Sequence, residues 1–234
     1  MRVYYHVAAM GSHWDSIVTE QLTLLRDVGV SDVWVGFLGS AQDLVKFRRL
    51  AEGLVSAHVV YVNSSFNRYE LPTQEMLWYD AMSHGSPTYL YMHTKGASCP
   101  MCPRRIAWRA LMQAYVVSRW RKNVGILRTH DILGVGWQVY DGHWHFPGTF
   151  WMARGDWIRK LPRPFAYQAS RKGNLFGSPW ERMCAETWVC SRPPRVFSYV
   201  HAPWEWCHDV KLMEKWTEDS RDEKIVLRDA HTVL

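Results

Sequence analysis

Four consecutive residues, His93-Thr94-Lys95-Gly96, follow the apolar stretch Tyr89-Leu90-Tyr91-Met92 without a break. A core strand that delivers an imidazole, a hydroxyl, a cation and a glycine at its carboxyl end is suited to hold an anion. Lys95 beside Gly96 can meet a phosphate closely, because glycine lets backbone N–H groups approach the oxygens. Thr94 adds a hydroxyl donor. His93 is a candidate contact for a diphosphate oxygen or a divalent ion. Fixed donors aimed at charge growing on a departing nucleoside diphosphate lower a barrier by about 3 kcal/mol each. A lysine at a strand end is expected in solvent, with little weight in folding.

The elements that must position this tetrapeptide alternate through the first half of the chain. VYYHVA (3–8), DVWVGFL (32–38), AHVVYV (57–62) and TYLYM (88–92) read as strands. Trp14 to Val28 reads as a helix with Trp14, Ile17, Val18, Leu22, Leu25 and Val28 on one face, ended by Gly29. Ser40 caps a second helix running to Leu54, and Thr73 starts a third that Gly85 stops. This alternation predicts an α/β fold with a mostly parallel central sheet, Rossmann-like, covered by helices on both faces. In such sheets ligands bind beyond the carboxyl ends of the strands, where His93 to Gly96 lie.

The second half reads differently. Pro103 opens a predicted helix to about Asn123, with Ile106, Leu111, Ala114, Val117 and Trp120 as its buried face. Residues 131–139 and 143–153 are predicted strands joined by a turn at Asp141-Gly142. Asp156 to Leu161 is a short helix. Ser178-Pro179-Trp180-Glu181 fits a capping box for a helix to about Cys190, and 196–201 is a last strand. One domain over 1–204 is expected, with a donor half (1–96), an acceptor half (97–204) and a polar, helical tail (205–234).

Charge is uneven. Residues 1–94 carry 6 Lys/Arg and 9 Asp/Glu, residues 95–204 carry 17 and 5, and residues 205–234 carry 5 and 8. The basic middle segment implies an anionic partner: a sugar nucleotide, a nucleic acid or an acidic glycan. It also holds, up to residue 206, ten of the 14 tryptophans, flat faces suited to sugars or bases as well as to core packing. No apolar run reaches the roughly 18 residues of a membrane span, and the first ten residues do not resemble a signal peptide, so a cytoplasmic chain is expected. The five cysteines are an odd set for a disulfide framework. Cys99-Pro100-Met101-Cys102 has the spacing of half a zinc site, but no recognised second half follows. P-loop, GxGxxG, GxSxG and HExxH patterns are absent.

Three segments together resemble a GT-A glycosyltransferase family found in bacterial surface-polysaccharide clusters and large viruses. Its pattern is a strand ending Tyr-x-His-Thr-Lys-Gly, a segment close to His-Phe-Ser-Gly-Asn-Phe-Trp-Trp-Ala, and a late helix with Glu-x-Trp. Here these are YMHTKG (91–96), HFPGTFWMAR (145–154) and ETW (186–188). The resemblance implies a nucleotide-sugar donor with its diphosphate at His93 to Gly96. It implies an acceptor side built from residues 145–151 and the late helix, with His145, Phe146, Trp151 and Arg182 as contacts. Pro147, Thr149 and Met152 depart from the pattern, so the acceptor is expected to be unusual. Many GT-A enzymes hold Mn²⁺ or Mg²⁺ through Asp-x-Asp after this fourth strand. That motif is missing, and Lys95 is a candidate electrostatic substitute.

An inverting transferase needs a base for the acceptor hydroxyl. Glu186 is the first candidate. The competing role for it is an i,i+4 ion pair with Arg182, worth about 0.3–0.5 kcal/mol. Asp141 and Asp156 are reserves. For the nucleotide, topology points to Ala8, His13 and Trp14 past the first strand, and to Val62 and Asn63 past the third. The acceptor hydroxyl is read as belonging to a glycan. Two alternatives stand beside this: transfer to hydroxymethylated bases in DNA, which would use the basic surface and a flipped base, and a non-enzymatic nucleic-acid-binding domain with zinc at the CPMC cysteines.

Overall fold

A computed structural model of the chain describes residues 1–83, 86–99, 101–140, 142–175, 178–200 and 207–221. Its first half follows the predicted alternation: β1 (Arg2–Ala8), α1 (Trp14–Asp27), β2 (Asp32–Leu38), α2 (Ala41–Ala51), β3 (Ser56–Asn63), α3 (Leu71–Ser83) and β4 (Thr88–His93). Trp14, Ile17, Val18, Leu22 and Leu25 are the buried stripe of α1. Ser40 and Asp43 close a capping box on α2, each satisfying the other's backbone N–H. The stop assigned to Gly85 lies outside the described residues.

The central sheet has seven strands in the order β11-β5-β8-β4-β1-β2-β3, where β5 is Ile132–Gly134, β8 Trp151–Arg154 and β11 Val196–Ser198. β8 runs antiparallel to both neighbours and the other pairings are parallel. The fold is therefore α/β with a mostly parallel sheet. Its β3-β2-β1-β4 half has the order of a doubly wound nucleotide-binding sheet. Both faces are buried, as the near-continuous apolar strands require. Along β4, Leu90 and Met92 join a core with α1 and α2, while Tyr89 and Tyr91 join a separate core with α3 and Trp151.

Several predicted elements are cut shorter. The helix expected over 103–123 is α4 (Pro103–Met112), a π-helical stretch Gln113–Val117, and α5 (Trp120–Ile126). Asn123 stabilises the break, its amide donating to the Tyr115 and Val116 carbonyls at 2.9 and 3.1 Å. Ile106, expected on the buried face, is exposed. The two long strands each split: β5 is followed by β6 (Gln138–Tyr140), which pairs with β7 (His143–His145) as a separate hairpin before β8. A turn at Pro147-Gly148-Thr149 divides β7 from β8. After β8 come α6 (Gly155–Ile158), α7 (Pro164–Ala169) and a short β9–β10 pair (Asn174–Leu175 with Ser178–Pro179). Ser178 does not cap the next helix, because it is in that pair. α8 (Trp180–Thr187) starts with Pro179 at its cap and ends in a 3₁₀ turn to Cys190. The tail forms α9 (Val210–Asp219), which packs on α4 and buries Met213 in the main core.

Gly36 in β2 marks the tightest approach of α3 to the sheet. A Cβ there would lie 1.9 Å from the Thr73 hydroxyl, which bonds His6 Nδ1 at 2.7 Å. Gly36→Ala must push Thr73 off His6, and is expected to cost about 1–3 kcal/mol, read as a lower urea midpoint with an unchanged slope.

Candidate functional site

The carboxyl ends of β1 and β4 lie side by side, and α1 follows one while α4 follows the other. This is the point where the sheet's strand order reverses. Thr94 closes it: the backbone N–H of Thr94 donates to His6 O at 3.0 Å, and its Oγ1 accepts from the Ala8 N–H at 3.0 Å. Thr94 is buried, so its hydroxyl ties β1 to β4, and the expected phosphate contact through it is replaced by this structural one. The tetrapeptide is pinned from both helices. Gln21 on α1 donates to His93 O at 3.0 Å. Arg109 on α4 donates to Lys95 O at 3.0 Å and grips Glu20 with its other nitrogens at 3.1 and 2.9 Å. Gly96 has φ +91°, and a Cβ there would lie 3.2 Å from Arg105 Cβ, so this corner needs glycine.

Lys95 is the surprise. Its side chain is not in solvent: the residue is 6% exposed. Its Nζ lies 4.1 Å from the ring centroid of Trp108. Among the described residues no carboxylate or other acceptor is within bonding distance of that ammonium. Burial pulls its pKa down, while the charges of Glu186 and Glu70 oppose that pull and those of Arg105 and Arg182 add to it. A cation over a desolvated indole face gains about 2 kcal/mol, against a desolvation penalty of several kcal/mol. The site is therefore short of negative charge.

His93 sits in a clamp. Its Nε2 donates to Gly148 O at 2.8 Å, so its Nδ1 carries the lone pair and faces Glu70 Oε1 at 3.3 Å. Burial, the largest cause, and the Lys95 charge hold its pKa well below the ordinary value, so the ring is neutral. Glu70 complements it. Burial first, then the charge of Glu186, push the Glu70 pKa up to about 8, so near neutrality it is a carboxylic acid facing a lone pair. Tyr91 OH donates to its other oxygen at 3.2 Å. Both halves of the clamp are strained: Tyr69, before Glu70, has φ +48°, and Thr149, after Gly148, has φ +56°. Thr149 Oγ1 in that turn and Trp151 Nε1 at the start of β8 are buried without hydrogen-bond partners among the described residues.

Glu186 reaches this corner on α8, which α3 holds by a 2.8 Å bond from Gln74 Nε2 to Ala185 O. The proposed ion pair with Arg182 is not formed, and among the described residues no hydrogen bond or ion pair engages the Glu186 carboxylate. Arg182 is exposed. His145 is buried, its ring held between Gln138 Nε2 and His143 O at 3.3 Å each. Burial lowers its pKa, and the Glu186 charge partly offsets that.

Other candidates go elsewhere. Trp151 is fully buried, stacked on Tyr91 at 5.1 Å and 12°, so it has no face left for a sugar; Phe146 is buried beneath it in the same core. Trp14 packs edge-on to Phe37 in the core, so it does not lie over a base. His13 and Val62 are exposed, and Asn63 donates to Tyr61 OH at 2.9 Å. Asp156 pairs with Arg154 beyond the opposite end of β8, and Asp141 lies outside the described residues. The residues present do not fit a divalent cation: both His93 nitrogens are engaged, Glu70 is protonated, and no three His, Cys, Asp or Glu among the described residues cluster to hold a metal. That last finding applies equally to zinc at Cys99 and Cys102. Glu70, Arg105 and Trp108 were missed by sequence reasoning. Glu70 was open to detection, because it follows the carboxyl end of β3 by the same rule that singled out His93.

Glu70 makes stability depend on pH. Its pKa rises from 4.5 unfolded to about 8 folded, so between these values the folded chain holds a proton that the unfolded chain has lost. Stability then falls as pH rises through that window. Glu70→Gln, which keeps a donor toward His93 Nδ1, is expected to remove the loss. Its melting temperature should match the wild type near pH 5 and exceed it by several degrees near pH 9.

No curated protein matches the sequence. Among solved structures, HddC from Yersinia pseudotuberculosis is similar at 8% identity and a TM-score of 0.49, over 92% of this chain and 99% of that one. The same protein complexed with GMP-PN is similar at 7% and 0.49, over 93% and 98%. UDP-glucose pyrophosphorylase complexed with UDP-glucose is similar at 6% and 0.38, over 96% and 100%. Likeness at these values decides nothing about ligand or reaction. One further match is by sequence: the profile described as "Domain of unknown function (DUF8361)" covers residues 2–196, from the first strand to the start of the last, and the chain belongs to that family.

Proposed function

We propose that this protein is a glycosyltransferase, moving a sugar from a nucleotide-sugar donor to a hydroxyl on a glycan. The observation that carries this reading is Lys95, a largely buried lysine at the reversal point of the sheet whose ammonium has no acceptor among the described residues. A donor diphosphate carries the charge that would offset this ammonium. The resemblance of YMHTKG, HFPGTFWMAR and ETW to the glycosyltransferase pattern points the same way.

In this mechanism the nucleotide lies past β1 and β3, near Ala8 and Asn63, and its diphosphate rests against Lys95 and the Gly96 backbone. His93 and Thr94 do not touch it; they set the loop. Glu186, whose carboxylate has no partner among the described residues, takes the acceptor hydroxyl proton. The acceptor oxygen attacks the anomeric carbon, the bond from that carbon to the diphosphate oxygen breaks, and Lys95 stabilises the charge left on the nucleoside diphosphate. Glu70 keeps its proton near neutrality, because burial and the neighbouring Glu186 charge push its pKa up to about 8. With Glu186 as base, the sugar is inverted.

A glycan acceptor is favoured over DNA by the resemblance of the three motifs to the surface-polysaccharide family, and four of the middle segment's 17 basic side chains are held in ion pairs. Arg109 pairs with Glu20, Arg163 with Glu75, Arg195 with Asp131 and Arg154 with Asp156. Weak dependence of acceptor affinity on salt is expected; a steep fall between low and moderate salt would favour DNA.

Two variants separate the roles. Lys95→Met is expected to melt a few degrees higher than the wild type, because it removes an uncompensated buried charge, yet to lose the thermal shift caused by UDP-, GDP- or dTDP-sugars. If the parent chain itself shows no shift with any of these donors, the reading fails. Glu186→Gln is expected to keep the donor-induced shift while turnover drops about 100-fold or more, and retained turnover would remove it as the base.

A further inference from the structure

The loop that leaves Gly96 carries two cysteines that the proposed transfer does not use. Cys99 is exposed and Cys102 half-buried, whereas Cys184, Cys190 and Cys207 are buried. A turn joins the pair: the Cys102 N–H donates to Cys99 O at 3.2 Å. A turn of this kind holds its end Cα atoms less than about 7 Å apart, and disulfides span about 4.4–6.8 Å. Cys102 is also the N-cap of α4, close to the backbone N–H groups of Arg104 and Arg105 but without a side-chain capping hydrogen bond.

We propose that Cys99 and Cys102 are a redox-active dithiol that closes reversibly to a disulfide by exchange with a small disulfide of the glutathione class. This inference goes beyond the proposed sugar transfer and does not depend on it. Three observations distinguish the pair from a structural one. The thiols lie at the surface, where a small disulfide can reach them. The turn needs little backbone movement to bring the sulfurs to bonding distance. Finally, the helix N–H groups and the nearby Arg104 lower the Cys102 pKa, while burial raises that of Cys184, Cys190 and Cys207. Thiolate is the attacking species, so Cys102 reacts first and the buried thiols stay inert.

The exchange balances in two steps. The Cys102 thiolate attacks one sulfur of the small disulfide, forming a mixed disulfide and expelling one thiolate. Cys99, as its thiolate, then attacks the Cys102 sulfur and expels the second small thiolate. The two protons given up by the cysteines go to the two expelled thiolates. The protein loses two hydrogens, and the small disulfide is reduced to two thiols. A CxxC pair that follows a strand and opens a helix in an α/β fold is placed for this chemistry.

The loop is continuous with the donor corner. Cys99 N–H donates to Gly96 O at 2.9 Å, and Arg105, one turn into α4, packs against Gly96. Closure of the pair is therefore transmitted to the residues beside Lys95.

The test is exposure of the folded full chain to mixtures of oxidised and reduced glutathione, followed by acid quench, alkylation and intact and peptide mass measurement. The expected result is loss of two hydrogens confined to the peptide holding Cys99 and Cys102, reversed by excess reduced glutathione. Cys99→Ser is expected to stop at a stable glutathione adduct on Cys102, and Cys102→Ser to lose closure altogether. The proposal is overturned if both cysteines stay alkylatable in fully oxidised glutathione, if the wild type stops at a mixed disulfide, or if the buried cysteines react as fast as this pair. A failed donor-binding screen leaves every one of these outcomes readable.

Discussion

The ammonium of Lys95 belongs to a residue that is largely buried, and among the described residues no carboxylate is close enough to neutralise it. It has the face of Trp108 and the more distant charge of Glu186. Cation–π attraction recovers part of the desolvation cost but not the whole. The remainder has to be met by the rest of the fold, and it is met by rigidity. Arg109 holds the Lys95 carbonyl, Gln21 holds the His93 carbonyl, and Thr94 joins the loop to β1. A loop with fewer ties would swing the lysine into water. An anion bound here would relieve the imbalance, so binding energy and local folding energy are linked at this corner.

The second constraint is the placement of one proton among three groups. His93 donates through Nε2 to Gly148 O, which leaves it a lone pair facing Glu70. A buried carboxylate beside another carboxylate would be costly, and Glu70 avoids that by remaining protonated near neutrality. Glu70 lies against Tyr91 and His93 of β4, and Glu186 stands on α8 near exposed Arg182. The strained residues Tyr69 and Thr149 lie next to the two ends of this arrangement, as expected where backbone is held for a purpose other than stability.

Much of the first half was legible before any coordinates. Period-2 and period-3.6 patterns put the four strands and two of the three helices within a few residues of their observed bounds, because each segment buries a face whose spacing is written in the chain. The place of His93 to Gly96 beyond the carboxyl end of a strand also followed, since that is where such sheets present ligand sites. The second half was less legible. Residues 131–153 read as two long strands because their composition is aromatic and β-branched throughout. The structure divides them at residues 135–137 and at Pro147-Gly148-Thr149, where packing of Phe146 against Gly134 competes with strand continuation. The helix over 103–123 is interrupted by a π-helical stretch whose Tyr115 and Val116 carbonyls accept from the amide of Asn123 in the next helix.

By itself, the sequence determined that His93 to Gly96 stand at the carboxyl edge of a parallel sheet, because alternation of apolar strands and amphipathic helices is a local property. Only the tertiary structure decided what each of those four residues does. It buried Lys95 against an indole 13 positions away, turned the Thr94 hydroxyl inward to β1, and set His93 between Glu70 and Gly148, which are far apart in the chain. It also sent Trp151 into the core and left Glu186 without its helical neighbour. Burial and charge pairing depend on which distant segments meet, and spacing along one chain does not encode that meeting.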